Sequence, residues 1–330
     1  MRASRFSMKK VVALSFIVVL FGLAICYFHD GDLDMRFQNR GPMEIVAHRG
    51  LSQTFPDEGL TNETCTARRI FEPRHPYLEN TLESIKAAFA LGATIVEIDI
   101  RPSHDGVLMV FHDNTLACRT DAEGMVWDYT AAQLKKLDIG YGYTADKGKT
   151  FPFRGKGLGM MPTLAEVLTA FPDRRFLIDN KNGNNMEVAE ALVSTLSELP
   201  TARQKDIYLW SSDGAFETVT RELPGIERLL LSKADQKRYW KSYILSLGFR
   251  PETPAKANPG LGIPFEYTGY LWGWPNRVLN TIYAQDGRLY VVVQSEEQWS
   301  EVSTLPIDGI VTDNLDLLAP LLQVAPKHEQ

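Results

Sequence analysis

Along this chain short apolar runs alternate with amphipathic stretches almost to the C-terminus. The runs "EIVAH" (Glu44 to His48), "TIVEIDI" (Thr94 to Ile100), "RFLIDN" (Arg175 to Asn180), "DIYLWS" (Asp206 to Ser211), "RLLLS" (Arg228 to Ser232), "LYVVV" (Leu289 to Val293) and "DGIVTD" (Asp308 to Asp313) have the length and branched character of strands buried on both faces. Between them "ENTLESIKAAFALG", "TLAEVLTAF", "MEVAEALVSTLSEL" and "PNRVLNTIYAQDG" repeat their apolar residues at helical spacing. Strands alternating with helices predict right-handed βαβ units and a parallel sheet. An eighth strand is expected near "LGIPFEY" (Leu261 to Tyr267), which would close a (β/α)8 TIM barrel.

The polar residues favour that barrel over an open sheet. His48, Glu97, Asp99, Asp179, Ser211, Ser232 and Asp313 fall at or near strand ends, most of them C-terminal ends, where the βα loops of such a barrel build a site. Neither a Gly-x-Gly-x-x-Gly nor a phosphate-loop Gly-Lys-Ser/Thr motif supports a nucleotide fold. The stretch 113–161, rich in Gly, Thr and charge, is too long for a plain βα loop and is expected as a capping insertion at the mouth.

Before the first strand the pattern changes. Arg2, Arg5, Lys9 and Lys10 form a basic flank (1–10), an apolar run fills 11–28, and Asp30, Asp32 and Asp34 open a polar linker (29–42) ahead of the barrel span 43–325. This predicts a membrane signal anchor with the catalytic domain outside the cytoplasm, cleavage and secretion being the alternative. With 330 residues and 44% hydrophobic content the rest can bury one large core. A net charge of -6 argues against nucleic acid as a partner, and no protein partner is implied. Cys65 and Cys118 in an exported domain are expected to form a disulfide, two free thiols being the alternative.

Chemistry is concentrated in "VEIDIRPSHDGVLMVFHD" (Val96 to Asp113). Successive strand residues alternate faces, so Glu97 and Asp99 point the same way and together call for a cation. Asp105-Gly106 suits a two-residue type I′ hairpin, and in that register His112 stands directly opposite Asp99. "AHRG" (Ala47 to Gly50) ends the first strand with a group that passes protons near neutral pH, a bidentate phosphate ligand and a residue that permits close backbone approach.

These motifs now carry a resemblance. "AHRG", "ENT" (Glu79 to Thr81), "VEIDI", "DGVLMVFHD", "FLIDNK" and "DGIVTDN", in order between Met43 and about Leu318, resemble the glycerophosphodiester phosphodiesterase family. The resemblance implies a TIM-barrel hydrolase that needs a divalent cation and releases glycerol 3-phosphate and an alcohol. It implies His48 and His112 as the acid/base pair, Glu97, Asp99 and Asp179 as metal ligands, Arg49 as a phosphate contact and Glu79 as polar support. Lys181, two residues beyond Asp179, would set a cation beside the phosphate. An all-oxygen ligand set suits one Mg²⁺ or Ca²⁺ better than zinc.

Two departures bear on substrate. The family usually has Glu-x-Lys where this chain has Asp179-Asn180-Lys181, a feature shared with the related sphingomyelinase D type phospholipases. The stretch 51–78 is an extra loop between His-Arg-Gly and Glu-Asn-Thr that would reshape the entrance. The substrate is therefore expected to be a small-molecule phosphodiester or a lipid head group. Phospholipase D-like cleavage of lysophospholipids or sphingolipids with a cyclic phosphate product, and a barrel that only binds lipid head groups, are the alternatives. Trp272 and Trp274 in "LWGWP" are expected to meet an acyl chain, sugar or choline at the mouth, Trp274 as a substrate contact, with ordinary packing as the competing expectation. Thr312 and Asp313 would complete the pocket floor, and His75 and His104 are read as surface residues.

Overall fold

The computed structural model describes residues 8–29, 31–56, 58–61, 64–182, 185–252 and 260–322. Arg2, Arg5, Asp30 and the last positions of the span expected to end at 325 lie outside the described residues. The strands are β1 (Glu44–His48), β2 (Ile95–Pro102), β3 (Leu108–Val110), β4 (Arg175–Asn180), β5 (Ile207–Trp210), β6 (Gly260–Pro264), β7 (Arg288–Val292) and β8 (Gly309–Thr312). They pair in the order β5-β4-β2-β1-β8-β7-β6, all parallel, with β3 antiparallel against β2. The connections are helical, as the alternating pattern requires. Thr81 and Thr163 each cap a helix N-terminus through a side-chain oxygen.

The stretch expected as a strand at Arg228 to Ser232 is irregular. It lies between β5 and β6, touching one with the Leu209 N–H bonded to the Glu227 carbonyl (2.9 Å) and the other with the Leu231 N–H bonded to the Gly260 carbonyl (2.8 Å). Only one bridge, Tyr208 to Glu227, forms there instead of a ladder. The backbones approach so closely that a Cβ on Gly260 would stand 1.6 Å from the Leu229 carbonyl oxygen, so glycine is required.

Strand alternation divides the apolar residues into two layers. Ala47, Val96, Ile98, Phe176, Ile178, Leu209 and Val291 face outward and pack under the helices. Val46, Ile95, Leu177, Tyr208 and Tyr290, with Leu229, fill the inner face. Two residues further along the same strands the inner face becomes polar: Ile95 leads to Glu97 and Asp99, Leu177 to Asp179, and Val46 to His48. Register then aligns the polar positions, since His48 pairs with Glu97 and Asp99 with Asp179.

The β2–β3 hairpin corrects the expected register. Ile100 pairs with Val110, and the Ser103 N–H reaches the Val107 carbonyl (2.9 Å), so the loop is the three residues His104, Asp105 and Gly106. Gly106 takes φ 77°, the left-handed position that such a loop needs. Asp99 therefore stands opposite Phe111, whose N–H it accepts at 3.0 Å, and His112 lies beyond the last paired residue.

The two insertions join each other. Ala67, Ile70 and Leu78 from the first pack with Leu116, Cys118, Val126, Leu134, Tyr143 and Met161 from the second, and with Met109 and Phe111 of the hairpin, as a second core. A disulfide links Cys65 to Cys118. At the N-terminus, Met8–Phe28 is one helix on which Val12 and Phe16 to Phe21 are exposed. Among the described residues no helix is long and apolar enough to cross a membrane, and several side chains of Met8–Phe28 lie outside that description.

Candidate active site

The "HRG" triplet is a turn that aims three groups differently. His48 ends β1 on the inner face, Arg49 turns through the left-handed region (φ 63°), and Gly50 follows at φ 77° against the start of the helix Leu82–Ala90. A Cβ on Gly50 would stand 2.7 Å from Ser84 Oγ and 3.0 Å from its carbonyl carbon. The turn lets the Arg49 N–H donate to Glu97 Oε2 (3.0 Å), while its guanidinium runs back to Glu79 Oε1 (3.0 Å) and Asp99 Oδ2 (3.2 Å).

"ENT" acts as a unit on the same side. Glu79 is buried between Arg49 and Arg119, the latter at 3.1 Å. Asn80, also left-handed (φ 58°), clamps Asp99: its Nδ2 donates to Asp99 Oδ2 (2.8 Å) and its Oδ1 accepts the Asp99 N–H (3.1 Å). Thr81 caps the following helix. Three consecutive residues thus neutralise, orient and anchor.

Glu97, Asp99 and Asp179 present one oxygen each within 4.8 Å of one another, all buried. Lys181 sits among them, 3.0 Å from Asp99 Oδ1 and paired with Asp179. Among the described residues Glu97 Oε1 is buried with no hydrogen-bond partner. Burial and the adjacent Asp99 push the Glu97 carboxyl up to about 8. Burial also works against ionised Asp99, but Lys181 and Arg49 override it and hold Asp99 well below the usual carboxylate range. A cluster of hard oxygen donors with one bare oxygen and one reluctant carboxylate fits a divalent cation.

The two histidines are held alike. Ala47 pairs with Thr312, so His48 and Asp313 lie side by side, and His48 Nδ1 is 2.6 Å from Asp313 Oδ1. Asp313 is gripped in turn by Gln294, whose Nε2 donates to Oδ2 (2.6 Å). His112 Nδ1 is 2.7 Å from Asp113 Oδ1, and its carbonyl accepts two N–H groups of Arg101 (2.9 and 2.7 Å). Among the described residues no hydrogen bond uses either Nε2, and that of His48 is 3.9 Å from Glu97. Burial lowers the pKa of both rings. Asp313 more than reverses this at His48, whose pKa is raised, whereas Arg49 adds to burial at His112, whose pKa is lowered.

The structure therefore brings together His48, Arg49, Glu79, Glu97, Asp99, His112, Asp179 and Lys181. Trp272 and Trp274 are half-buried, and both pack against the main apolar core. His104 is exposed, but His75 is half-buried and bonded to Gln53 (3.0 Å) rather than lying free on the surface. Asp113, Arg101, Arg119, Asn80 and Gln294 escaped the sequence reading, and Asp313 serves His48 rather than a pocket floor. Asp113, Asn80 and Arg101 stand inside quoted motifs, Arg101 on the same face of β2 as Glu97 and Asp99, whereas Arg119 and Gln294 carry no local signal.

Fold and site together define an α/β protein built on a parallel-strand half-barrel, with a histidine pair over an acidic cluster. The chain belongs to the glycerophosphoryl diester phosphodiesterase family, whose model matches residues 48–317, and proteins so named are phosphodiester hydrolases. It is 32% identical over 149 residues to a glycerophosphodiester phosphodiesterase of Caldanaerobacter subterraneus, covering 45% of this chain and 46% of that protein. It is 27% identical over 252 residues to one of Bacillus altitudinis, covering 75% and 93%. In fold it resembles a glycerophosphoryl diester phosphodiesterase domain from Mycobacterium tuberculosis (TM-score 0.61, 19% identity, 86% of this chain and 99% of that one). It also resembles an Oleispira antarctica phosphodiesterase solved with sn-glycerol-3-phosphate (TM-score 0.56, 22% identity, 86% and 96%).

Proposed function

We propose that this protein hydrolyses glycerophosphodiesters to glycerol 3-phosphate and an alcohol, using His48 and His112 as acid and base. One observation carries the reading: two histidines, each tethered at Nδ1 to a carboxylate, flank a cluster of three buried carboxylates. The relative solved with sn-glycerol-3-phosphate supports the substrate class.

Glu97, Asp99 and Asp179 would hold one Mg²⁺ or Ca²⁺, which when bound draws charge from the phosphoryl oxygens. Asp313 and Asp113 fix the imidazoles so that each Nε2 faces the reacting groups. One Nε2 takes the proton of the attacking group and the other gives a proton to the alcohol as its P–O bond breaks. The attacking group is either water or the substrate's own glycerol hydroxyl, with water opening the cyclic phosphate of the latter route in a second step. Arg49 and Lys181 would add positive charge where the phosphate lies. The irregular stretch between β5 and β6 would be the eighth stave of a closed (β/α)8 barrel, with the joined insertions as its cap. The segment 11–28 would tether the domain outside the cytoplasm, a reading that rests on its basic flank and apolar run and that alkaline carbonate extraction of membranes checks.

The test of activity incubates the protein with glycerophosphocholine or lysophosphatidylcholine, with and without EDTA, and identifies products by mass spectrometry. Glycerol 3-phosphate release that EDTA stops and Mg²⁺ or Ca²⁺ restores is expected. A cyclic phosphate from the lysolipid alone would replace this reading with the phospholipase D-like one.

A further inference from the structure

His112 lies just past the end of β3, where pairing no longer dictates which way a side chain points. Two contacts compensate. Arg101 takes its carbonyl and so fixes the backbone, and Asp113 takes Nδ1 and so fixes the ring. Asp113 then needs a hold of its own. Its Oδ2 lies 3.0 Å from Arg119 Nε, an ion pair rather than an aligned hydrogen bond.

Arg119 is 3% exposed, and its remaining nitrogens are committed. Nη1 donates to Tyr143 Oη (2.8 Å) and pairs with Glu79 (3.1 Å), while Nη2 donates to Thr66 Oγ1 (2.9 Å). One guanidinium therefore binds the carboxylate behind His112 to the carboxylate behind Arg49. Its neighbours in sequence are equally telling. Arg119 follows Cys118 and Thr66 follows Cys65, so the disulfide joins the residues immediately before the two ends of the Arg119–Thr66 hydrogen bond. Around it the chain has little room: a Cβ on Gly142 would stand 1.9 Å from the Cys118 carbonyl oxygen.

We propose that Arg119 is a positioning residue for His112, acting through Asp113, and that the Cys65–Cys118 disulfide keeps Arg119 in place, making turnover depend on the oxidised cross-link. Arg119 touches no reacting atom. It holds Asp113 turned toward the imidazole, so that His112 keeps one tautomer with Nε2 facing the acidic cluster. The two insertions meet through side-chain packing and a few hydrogen bonds, so opening the disulfide frees Thr66 and Arg119 to part. The inference rests on His112 being half of the acid/base pair.

The test uses the full chain with Mg²⁺ or Ca²⁺, glycerophosphocholine as substrate, and the variants Arg119→Lys, Thr66→Val and Cys65→Ser/Cys118→Ser, each checked for folding by circular dichroism. Supporting residues of this kind cost about 10–100-fold when removed. A fall of that size in kcat with KM within about twofold is expected for Arg119→Lys and the double cysteine variant, and a smaller fall for Thr66→Val, the mildest change. Dithiothreitol should bring the wild-type protein down to the level of the double cysteine variant and leave that variant unaltered. Independently of turnover, the ¹⁵N signals of the His112 ring, assigned with His112→Ala, should move from one neutral tautomer toward a mixture in every impaired form. Folded Arg119→Lys and reduced wild-type proteins that keep full kcat and an unmoved His112 signal overturn the proposal. A wild-type protein that turns over no phosphodiester, while its His112 signals respond as described, overturns the catalytic reading and upholds the positioning role.

Discussion

Asp313 and Asp113 act on the two histidines in the same way, yet one is reached across the sheet and the other is the next residue along the chain. In both cases the carboxylate engages Nδ1 and so settles that Nε2 is the ring nitrogen left without it, because a neutral imidazole donates from one nitrogen only. His48→Ala and His112→Ala are each expected to lower kcat by about 10²–10⁴-fold, the usual worth of a positioned proton carrier, with the circular dichroism spectrum retained. Full turnover in either variant would remove it from the pair. At this scale the sequence was informative where chemistry is local. The carboxylates on one face of β2 follow from strand alternation alone, whereas the bond from His48 to Asp313 spans 265 positions and needs the sheet to exist.

Among the elements, the turn at "HRG" and the start of the helix Leu82–Ala90 depend on one another. Gly50 sits under Ser84 at a left-handed φ, and the Asn80 N–H donates to the Arg49 carbonyl (2.9 Å). Gly50→Ala would both strain the backbone and push the helix start away, with an expected loss of about 1–3 kcal/mol read from urea unfolding. An unchanged midpoint would mean that the helix moves freely and that the turn is not built on it. Elements with a clear period were legible: "RFLIDN" is β4 to the residue and "EIVAH" is β1. The hairpin departs from its expected register because Asp105-Gly106 suits a two-residue and a three-residue loop alike, and the choice depends on how Ser103 and Val107 bond across it.

Among the described residues Asp138, Arg203 and Asp235 are buried elsewhere, but most buried charge of the molecule gathers at the polar end of the inner face, where ion pairs balance it. Glu97 is the exception, pushed up to about 8 by burial and Asp99. A carboxyl whose folded pKa is raised weakens the fold as pH climbs from its unfolded value near 4.5 through 8, since the unfolded chain ionises first. In EDTA the melting temperature of the wild-type protein should therefore fall across that window relative to Glu97→Gln. Saturating Mg²⁺ or Ca²⁺, binding only the folded form, should raise it most at the alkaline end. Parallel melting curves for the two proteins from pH 5 to 8 would show that Glu97 is not the strained member of the cluster.

Apart from the stretch Arg228 to Ser232, the alternation of strands with helices, the polar strand ends and the acidic pair on β2 were determined by the sequence alone, because each rests on a period of 2 or 3.6 and on neighbours within a few residues. Only the tertiary structure decided which groups serve the candidate site from afar. Asp313 reaches His48 through the pairing of β8 with β1, Arg119 reaches Asp113 from inside the joined insertions, and Trp274 packs against the main apolar core. The physical reason is the same for all three: a side chain's partner across the fold depends on register, loop closure and burial, none of which leaves a periodic trace in the chain.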